Sequence, residues 1–442
     1  MLSRLKFHFG NARSHRGFRR YFANTSWLLG EKVLRMAVGL FVGVWVARYL
    51  GPESFGTLNY AQSFVGLFAA ISTLGIDSIL IRELVADKSR RDVLLGTAFY
   101  LKFIGAVTVL LILLLSTNVI DNNTQTTIMI FVIASATIFQ SFNVIDFYFQ
   151  SRVLSRYIVF SNTIGLFLSS LIKVALIVNE APLVAFAWVI LFDSAILAFG
   201  FIYFYFKVGK NIKKWQFRKE IALSLLKDCW PLILSGIVVS VYMKIDQVMI
   251  KEMLNAEAVG QYAAAVRLSE AWYFIPVAIA GSLFPAILNA KKQSEELYYV
   301  RLQRLFNLMT WLAIAIAIPM TFLSDWVTNF LYGDEYSQAG SVLIIHIWTG
   351  VFVFLGVASG KWFAAENLQM LSFWRTFAGM LVNVVLNIFI IPIYGIEGAA
   401  MTTLSANFVA AFLFDLFNIK TRGIFLMKLR TFMPHRLQGS VS

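Results

Sequence analysis

The chain is built from stretches of about twenty mostly apolar residues that recur along its whole length. An α-helix rises 1.5 Å per residue, so roughly 20 such residues cross the hydrocarbon core of a bilayer. Read with that window, spans fall near 26–47, 57–80, 93–115, 126–149, 157–178 and 183–206, and then near 229–250, 260–288, 305–324, 339–360, 376–392 and 398–418. Composition agrees: 59% of residues are hydrophobic and 14% charged, against roughly 25% charged in soluble domains. A surface that apolar needs lipid as its solvent, and lipid admits only structures that satisfy their backbone polar groups internally. The expected fold is all-α and polytopic, with about twelve transmembrane helices in two pseudo-symmetric six-helix bundles.

The placement of Lys and Arg tests that map, because cytoplasmic loops carry the cations. Arg4, Lys6, Arg13, Arg16, Arg19 and Arg20 precede the first span. Loops on the same side hold Arg82, Lys88, Arg90 and Arg91, then Arg152 and Arg156, then seven cations between Lys207 and Lys227. Further along come Lys291, Lys292, Arg301 and Arg304, then Lys361 and Arg375, and finally Lys420, Arg422, Lys428, Arg430 and Arg436. The opposite side has only Arg48 and Lys251. A wrong span count would scramble this partition, so an inner-membrane protein with both chain ends in the cytoplasm is expected. The basic start reads as an uncleaved lead into the first span, since no small-residue cleavage site follows the apolar run. The net charge of +14 lies in loops, so nucleic acid is not an expected partner.

The longest inside loop, 207–228, falls mid-chain. The expected division is an N-terminal six-helix bundle (1–206), a cytoplasmic linker (207–228), and a C-terminal six-helix bundle with its tail (229–442). Within the linker, Ile212, Trp215, Phe217, Ile221 and Leu225 are spaced as a basic amphipathic helix on the inner leaflet would need; plain positive-inside topology accounts for the cations equally well. Leu50-Gly51-Pro52-Glu53-Ser54-Phe55-Gly56 and Leu254-Asn255-Ala256-Glu257-Ala258-Val259-Gly260 share Leu, Glu and Gly at a constant offset of 204, with Ala61 and Ala265 following. Both stretches end a span running in the same direction, which implies a parallel repeat about an axis along the membrane normal.

Ionisable groups inside spans are expensive and mark cavities or pathways. Candidate cavity cations are Arg35, Lys102, Lys173, Lys244 and Arg267. Asn59, Gln62, Gln140, Asn143, Asp146, Asp193, Asp246 and Glu270 are candidates for sugar or coupling-ion contacts. Amides both donate and accept, which suits hydroxyl-rich ligands. Each has a structural reading beside the functional one. Glu31 and Arg35 are four apart, and Arg267 and Glu270 three apart, so each couple can pair along its own helix. Lys102, Lys244, Asp193 and Asp246 have no partner at helical spacing. The stripe Gln140, Asn143, Asp146 and the couple Asn383, Asn387 can equally be interhelical glue. Gly39–Gly43 and Gly356–Gly360 fit a close-packing motif. His8, His15, His346 and His435 are too scattered for a ligand pair, and the single Cys229 excludes an intramolecular disulfide. No HExxH, CxxC, GxSxG or phosphate loop is present, so no enzyme and no metal or cofactor is expected.

Ala47-Arg48-Tyr49-Leu50-Gly51-Pro52-Glu53-Ser54-Phe55-Gly56-Thr57-Leu58-Asn59-Tyr60-Ala61 resembles the opening signature of polysaccharide (O-antigen) flippases. Gly75-Ile76-Asp77 with Ile81-Arg82-Glu83 is similar to the same family, as are Asp246-Gln247-Val248-Met249-Ile250, Val259-Gly260-Gln261-Tyr262-Ala263-Ala264-Ala265 and Tyr394-Gly395-Ile396-Glu397-Gly398-Ala399-Ala400. The resemblance covers essentially the whole chain and implies the multidrug/oligosaccharidyl-lipid/polysaccharide exporter superfamily: two six-helix bundles around a generally cationic cavity, working by alternating access. The implied cargo is an undecaprenyl-diphosphate-linked repeat unit, with H⁺ or Na⁺ as coupling ion and a polysaccharide polymerase and chain-length proteins as partners beside membrane lipids. A cation-coupled drug antiporter of the same superfamily is the rival reading. A glycan polymerase or ligase is the other, disfavoured by the short outside loops.

Overall fold

The structure, a computed structural model, describes residues 16–116 and 123–433, without the side chains of residues 16–26, 28 and 29. Arg4, Lys6, His8, Arg13, His15, His435 and Arg436 therefore lie outside the described residues. The first half supplies α1 (Arg16–Leu67), α2 (Ala69–Thr73), α3 (Asp77–Ala86), α4 (Arg91–Ser116), α5 (Thr124–Gln140), α6 (Val144–Ser151), α7 (Ser155–Val178) and α8 (Leu183–Lys207). The second half supplies α9 (Lys219–Met253), α10 (Ala256–Glu270), α11 (Phe274–Lys291), α12 (Glu295–Tyr332), α13 (Ala339–His346), α14 (Thr349–Ala365), α15 (Gln369–Ala411) and α16 (Arg422–Arg430). No strand occurs among the described residues.

Ten helical runs among the described residues are long and apolar enough to cross a membrane, and two of them contain a turn. α15 has 43 residues, roughly 65 Å if straight and twice the hydrocarbon thickness. It is broken at Gly395, with φ 61° and ψ −138°, a conformation costly for any residue with a Cβ. Three residues later a Cβ on Gly398 would lie 2.8 Å from the Ile390 carbonyl oxygen. α1 is broken in the same way at Gly51 (φ 68°, ψ 169°), next to Pro52, and its continuation reaches Ala86 through α2 and α3. The about twelve spans of the sequence thus map onto ten helical runs. Gly395→Ala is expected to cost about 1–2 kcal/mol, read as a lower unfolding midpoint in detergent; an unchanged midpoint would show that the turn accepts a side chain.

The helices pack as two compact units: Met1–Gly43 with Phe68–Ile237, and Val44–Leu67 with Val238–Ser442. This division differs from the expected one at 206 and 229, because α1 and α9 each change packing partners partway along. Val44–Leu67 is tied into the second unit by Tyr336 Oη donating to Ala47 O (2.7 Å), Tyr60 Oη to Glu252 (2.8 Å) and Ser63 Oγ to Gln247 (2.8 Å). The start of α9 belongs to the first unit: Arg82 bonds Asp228 at 2.9 Å, and a Cβ on Gly75 would lie 2.8 Å from Leu232. The first unit's core gathers Leu80, Leu95, Ile145, Phe149, Tyr205 and Cys229. The second unit's gathers Tyr298, Leu302, Phe306, Met309, Phe354 and Trp362. Large apolar side chains such as Phe322, Ile393 and Phe389 stay exposed, as expected where lipid replaces water.

The stretch 207–228 is not a continuous surface helix. Gly209 turns the chain at φ 74°, residues 212–214 form one 3₁₀ turn, and 215–218 run without helix before α9 begins. Ile212 and Trp215 pack on the first unit's core, and Ile221 and Leu225 are buried in it. Gln216 N bonds Asp92 O at 3.3 Å, and Gly96 leaves room for that strap, since a Cβ there would lie 2.6 Å from Gln216 N. Ile212 and Trp215 belong to a strap against the first unit, Phe217 is exposed, and Ile221 with Leu225 keep their helical spacing in the first turns of α9. Two other expectations change. Gly39 and Gly360 face open space, so no close packing rests on them. Arg375 and Lys428, assigned to loops by charge, are buried.

The repeat has a direct structural counterpart inside the second unit. A Cβ on Gly56 would lie 1.7 Å from Ala256 O, and a Cβ on Gly260 would lie 1.9 Å from Pro52 O. Positions 52 and 56 map onto 256 and 260 under the offset of 204, so the contact is reciprocal, as across a local two-fold axis.

Candidate functional site

Asp246 is the best-coordinated of the candidate side chains. It lies on α9, is 7% exposed, and faces α10 and both limbs of α15. Asn387 Nδ2 donates to its Oδ1 at 2.7 Å, while Thr403 Oγ1 (2.5 Å) and Tyr262 Oη (3.0 Å) donate to Oδ2. Thr402 Oγ1 donates to Asn387 Oδ1 and fixes the amide's orientation. Asn383, one turn earlier, is fully buried, and its Nδ2 has no formed hydrogen bond among the described residues. The turn at Gly395 folds α15 back so that Asn387 and Thr403 meet on one carboxylate. Hydrogen bonds to a charged group contribute about 1.5–3 kcal/mol each, which stabilises a carboxylate that burial alone would disfavour. The cluster offers one negative charge among hydroxyl and amide oxygens, a donor set suited to a proton or a small hard cation.

Beside it lies a chamber of about 330 Å³ lined by Tyr242, Asp246, Tyr262, Glu270, Tyr273, His346, Thr349, Arg375 and Asn407, among others. His346 Nδ1 sits 2.9 Å from Ser269 Oγ, which satisfies the buried ring within the unit. Glu270 borders the chamber and is exposed, and the charges of Lys244 and Asp246 both act on it. Glu270 and Arg267 do not pair, although three residues separate them. Lys244 and Arg267 make no ion pair or hydrogen bond among the described residues. The Lys244 stem packs over Gly66, 3.3 Å from where a Cβ would stand.

The first unit holds the other candidates. Arg35, 44% exposed, is ion-paired to buried Glu31 at 2.7 Å along α1. Lys102 is buried and paired at 2.7 Å to Asp77, a partner on another helix that helical spacing could not reveal; its ammonium also lies 4.8 Å from the Phe147 ring centroid. Asp146 accepts from Gln150 at 3.1 Å and feels the charges of Asp77, Lys102 and Glu31. Asp193 feels Lys173 and Arg35. Four acids thus stand among three cations in this group of side chains. The polar stripe of the fourth span is interrupted by a 3₁₀ turn at Ser141–Asn143; Gln140 is exposed and Asn143 half-buried. Asn59 donates to its own Phe55 O at 2.8 Å, and Gln62 is exposed.

Sequence reasoning missed a fully buried ion pair, Lys428 to Asp415 at 2.7 Å, with Lys428 also donating to Ala411 O at 2.5 Å. Burial pushes the Lys428 ammonium down to about 8, and Asp415 opposes that shift. Arg375 is the second: its Nη1 donates to Ser359 Oγ at 2.7 Å and its guanidinium lies 4.8 Å from the Phe363 ring centroid, with no carboxylate paired to it among the described residues. The only available signal was Asp415 itself, an acid inside an apolar span.

The sequence and the fold have known relatives. The chain is 25% identical to the probable low-salt glycan biosynthesis flippase Agl15 of Haloferax volcanii, over 45% of this chain and 42% of that protein, so that match spans under half of its relative. It is 21% identical to a putative O-antigen transporter of Shigella flexneri, over 81% of this chain and 88% of the other. Among solved structures it is similar to an inward-facing multidrug resistance MATE family transporter (TM-score 0.69, 16% identity, covering 90% and 96% of the two chains) and to the lipid II flippase MurJ (TM-score 0.66, 16% identity, covering 91% and 90%); these likenesses concern the fold. The MatE family matches residues 231–389. The polysaccharide biosynthesis protein family matches residues 21–291, more than half of the sequence, and the chain belongs to that family.

Proposed function

We propose that the protein is a flippase that moves lipid-linked oligosaccharide repeat units, of the undecaprenyl-diphosphate type, from the inner to the outer leaflet of the bacterial cytoplasmic membrane, by alternating access of its two units. The observation that carries this reading is the family match over residues 21–291, joined to a second unit whose intramembrane wall is dense in hydrogen-bonding groups. The head group of such a cargo, a diphosphate and a glycan, cannot cross hydrocarbon unaided. Lys244 and Arg267, unpaired, offset the diphosphate charge; Arg35 and Lys102 contribute after exchanging their present carboxylate partners, and Lys173 lies near Asp193. Both chain ends stay cytoplasmic, and a polymerase with chain-length proteins takes up the product. No bond is made or broken, so the protein is not an enzyme.

The test is reconstitution in vesicles with a defined undecaprenyl-diphosphate-linked oligosaccharide, scoring its leaflet over time. Lys244→Ala should slow translocation about tenfold or more, one lost charge contact being worth about 1.5–3 kcal/mol, while the protein still inserts. An unchanged rate would remove Lys244 from the mechanism. Asp246 binds the coupling ion, H⁺ or Na⁺, in this reading. Asp246→Asn keeps the hydrogen-bonding shape and loses the charge, so translocation should lose its dependence on the pH or sodium gradient; a variant that keeps the wild-type dependence rules Asp246 out. A cation-coupled antiporter of small molecules is the second reading, favoured by the MatE match over 231–389. It requires efflux of an organic cation by vesicles that leave the lipid-linked sugar unmoved.

A further inference from the structure

The chamber of the second unit carries polar groups that the Asp246 cluster does not use. Tyr242 Oη and Thr349 Oγ1 are buried, line the chamber, and have no hydrogen-bond partner among the described residues. Tyr273 Oη stands near Ser269 without a formed bond. A buried hydroxyl left unsatisfied costs about 1–3 kcal/mol, so these groups are there to meet something. The volume, about 330 Å³, lies within the range of small-ligand pockets. Its wall reaches from Arg375 to Asp246, and Asp246 touches Asn387, twelve residues further along α15 than Arg375, or about 18 Å.

Charge narrows the occupant. Asp246 carries the coupling ion in the flippase reading, which leaves Glu270 and Arg375 as the charged side chains of the lining. One acid and one cation make a neutral site. A diphosphate would need an excess of cations, and an organic cation an excess of acids. What suits a neutral chamber of hydroxyls and carboxylate, walled by the rings of Tyr242, Tyr262, Tyr273 and Phe352, is an uncharged polyhydroxylated group. Its hydroxyls meet side chains that both donate and accept, and its apolar ring face lies on an aromatic one. We infer that this chamber is a glycan subsite, which receives a sugar ring of the cargo while the diphosphate is held elsewhere. The inference rests on the flippase reading above and adds where the sugar is recognised.

Cysteine protection tests it. In a Cys229→Ala background, Thr349→Cys places one thiol on the chamber wall, and Val353→Cys supplies a second probe if the first fails to fold. Labelling by a small hydrophilic maleimide is timed alone, with undecaprenyl diphosphate, and with undecaprenyl diphosphate carrying the oligosaccharide. The glycan-bearing lipid is expected to slow labelling about tenfold and the bare carrier to leave it within twofold. Equal protection by both lipids overturns the subsite, because carrier binding or a change of state would then account for it. Absence of protection, with the oligosaccharide still translocated in vesicles, leaves the flippase and removes the subsite. Absence of protection together with absence of translocation removes both.

Discussion

Gly260→Leu is expected to abolish transport and to lower stability by at least about 3 kcal/mol. A Cβ at this position would stand 1.9 Å from the Pro52 carbonyl oxygen, a backbone atom of a neighbouring helix that cannot swing aside. Inserting atoms into well-packed interiors costs about 1–3 kcal/mol when side chains can adjust, and more when the obstacle is main chain. Gly56→Leu should behave alike, with Ala256 O at 1.7 Å from the added carbon. The reciprocity of the contact makes the sharper statement. Once one substitution has pushed the helices apart, the other finds room already made, so the double variant should be much less destabilised than the sum of the singles, with a coupling of about 1–3 kcal/mol. Unfolding midpoints in detergent for the four proteins close the cycle. Simple additivity would mean that the two glycines do not share one crossing.

The second large effect concerns the interior of the second unit. Lys428→Met should destabilise the protein by about 3–5 kcal/mol, because it strands Asp415 as a buried charge without its partner. Both side chains are fully buried, so water cannot take the place of the ammonium. Arg375 is the remaining cation whose charge reaches Asp415, and Asp415 Oδ1 has no hydrogen bond among the described residues. Replacing both partners, Asp415→Leu with Lys428→Met, should recover most of the loss, since an apolar pair of similar volume removes both desolvation penalties. If the double variant is as unstable as the single one, the hydrogen bond from Lys428 to Ala411 O carries the energy instead of the ion pair.

The span map and the 204-residue repeat were legible because each is a one-dimensional signal: apolar length, alternation of Lys and Arg, and glycines at a fixed offset. Which glycines turn the chain was not legible. Gly51 and Gly395 stand where the backbone enters a region closed to side chains, and Gly56, Gly260 and Gly398 where main chains nearly touch. What stayed hidden depends on which helix faces meet. Lys102 finds Asp77 on another helix, and Asp246 finds Asn387 and Thr403, 141 and 157 residues away; no spacing along one helix encodes either. Around Trp215 the spacing leaves a surface helix and plain positive-inside topology equally open, because apolar residues at helical intervals fit a groove in extended form as readily. Arg375 and Lys428 sit among the loop cations in sequence, and only packing distinguishes a snorkelling lysine from a buried one.

The assignment of Val44–Leu67 to the second unit has a consequence for biosynthesis. These residues leave the ribosome nearly two hundred residues ahead of Val238, where the remainder of their unit begins. At about 5–20 residues per second, that interval is on the order of ten to forty seconds. Throughout it, Tyr60 and Ser63 wait for partners, Glu252 and Gln247, that have not yet been made. The early membrane intermediate is therefore the species most exposed to quality-control proteases, and a slow second half of translation would lower the yield of folded protein without touching a single native contact.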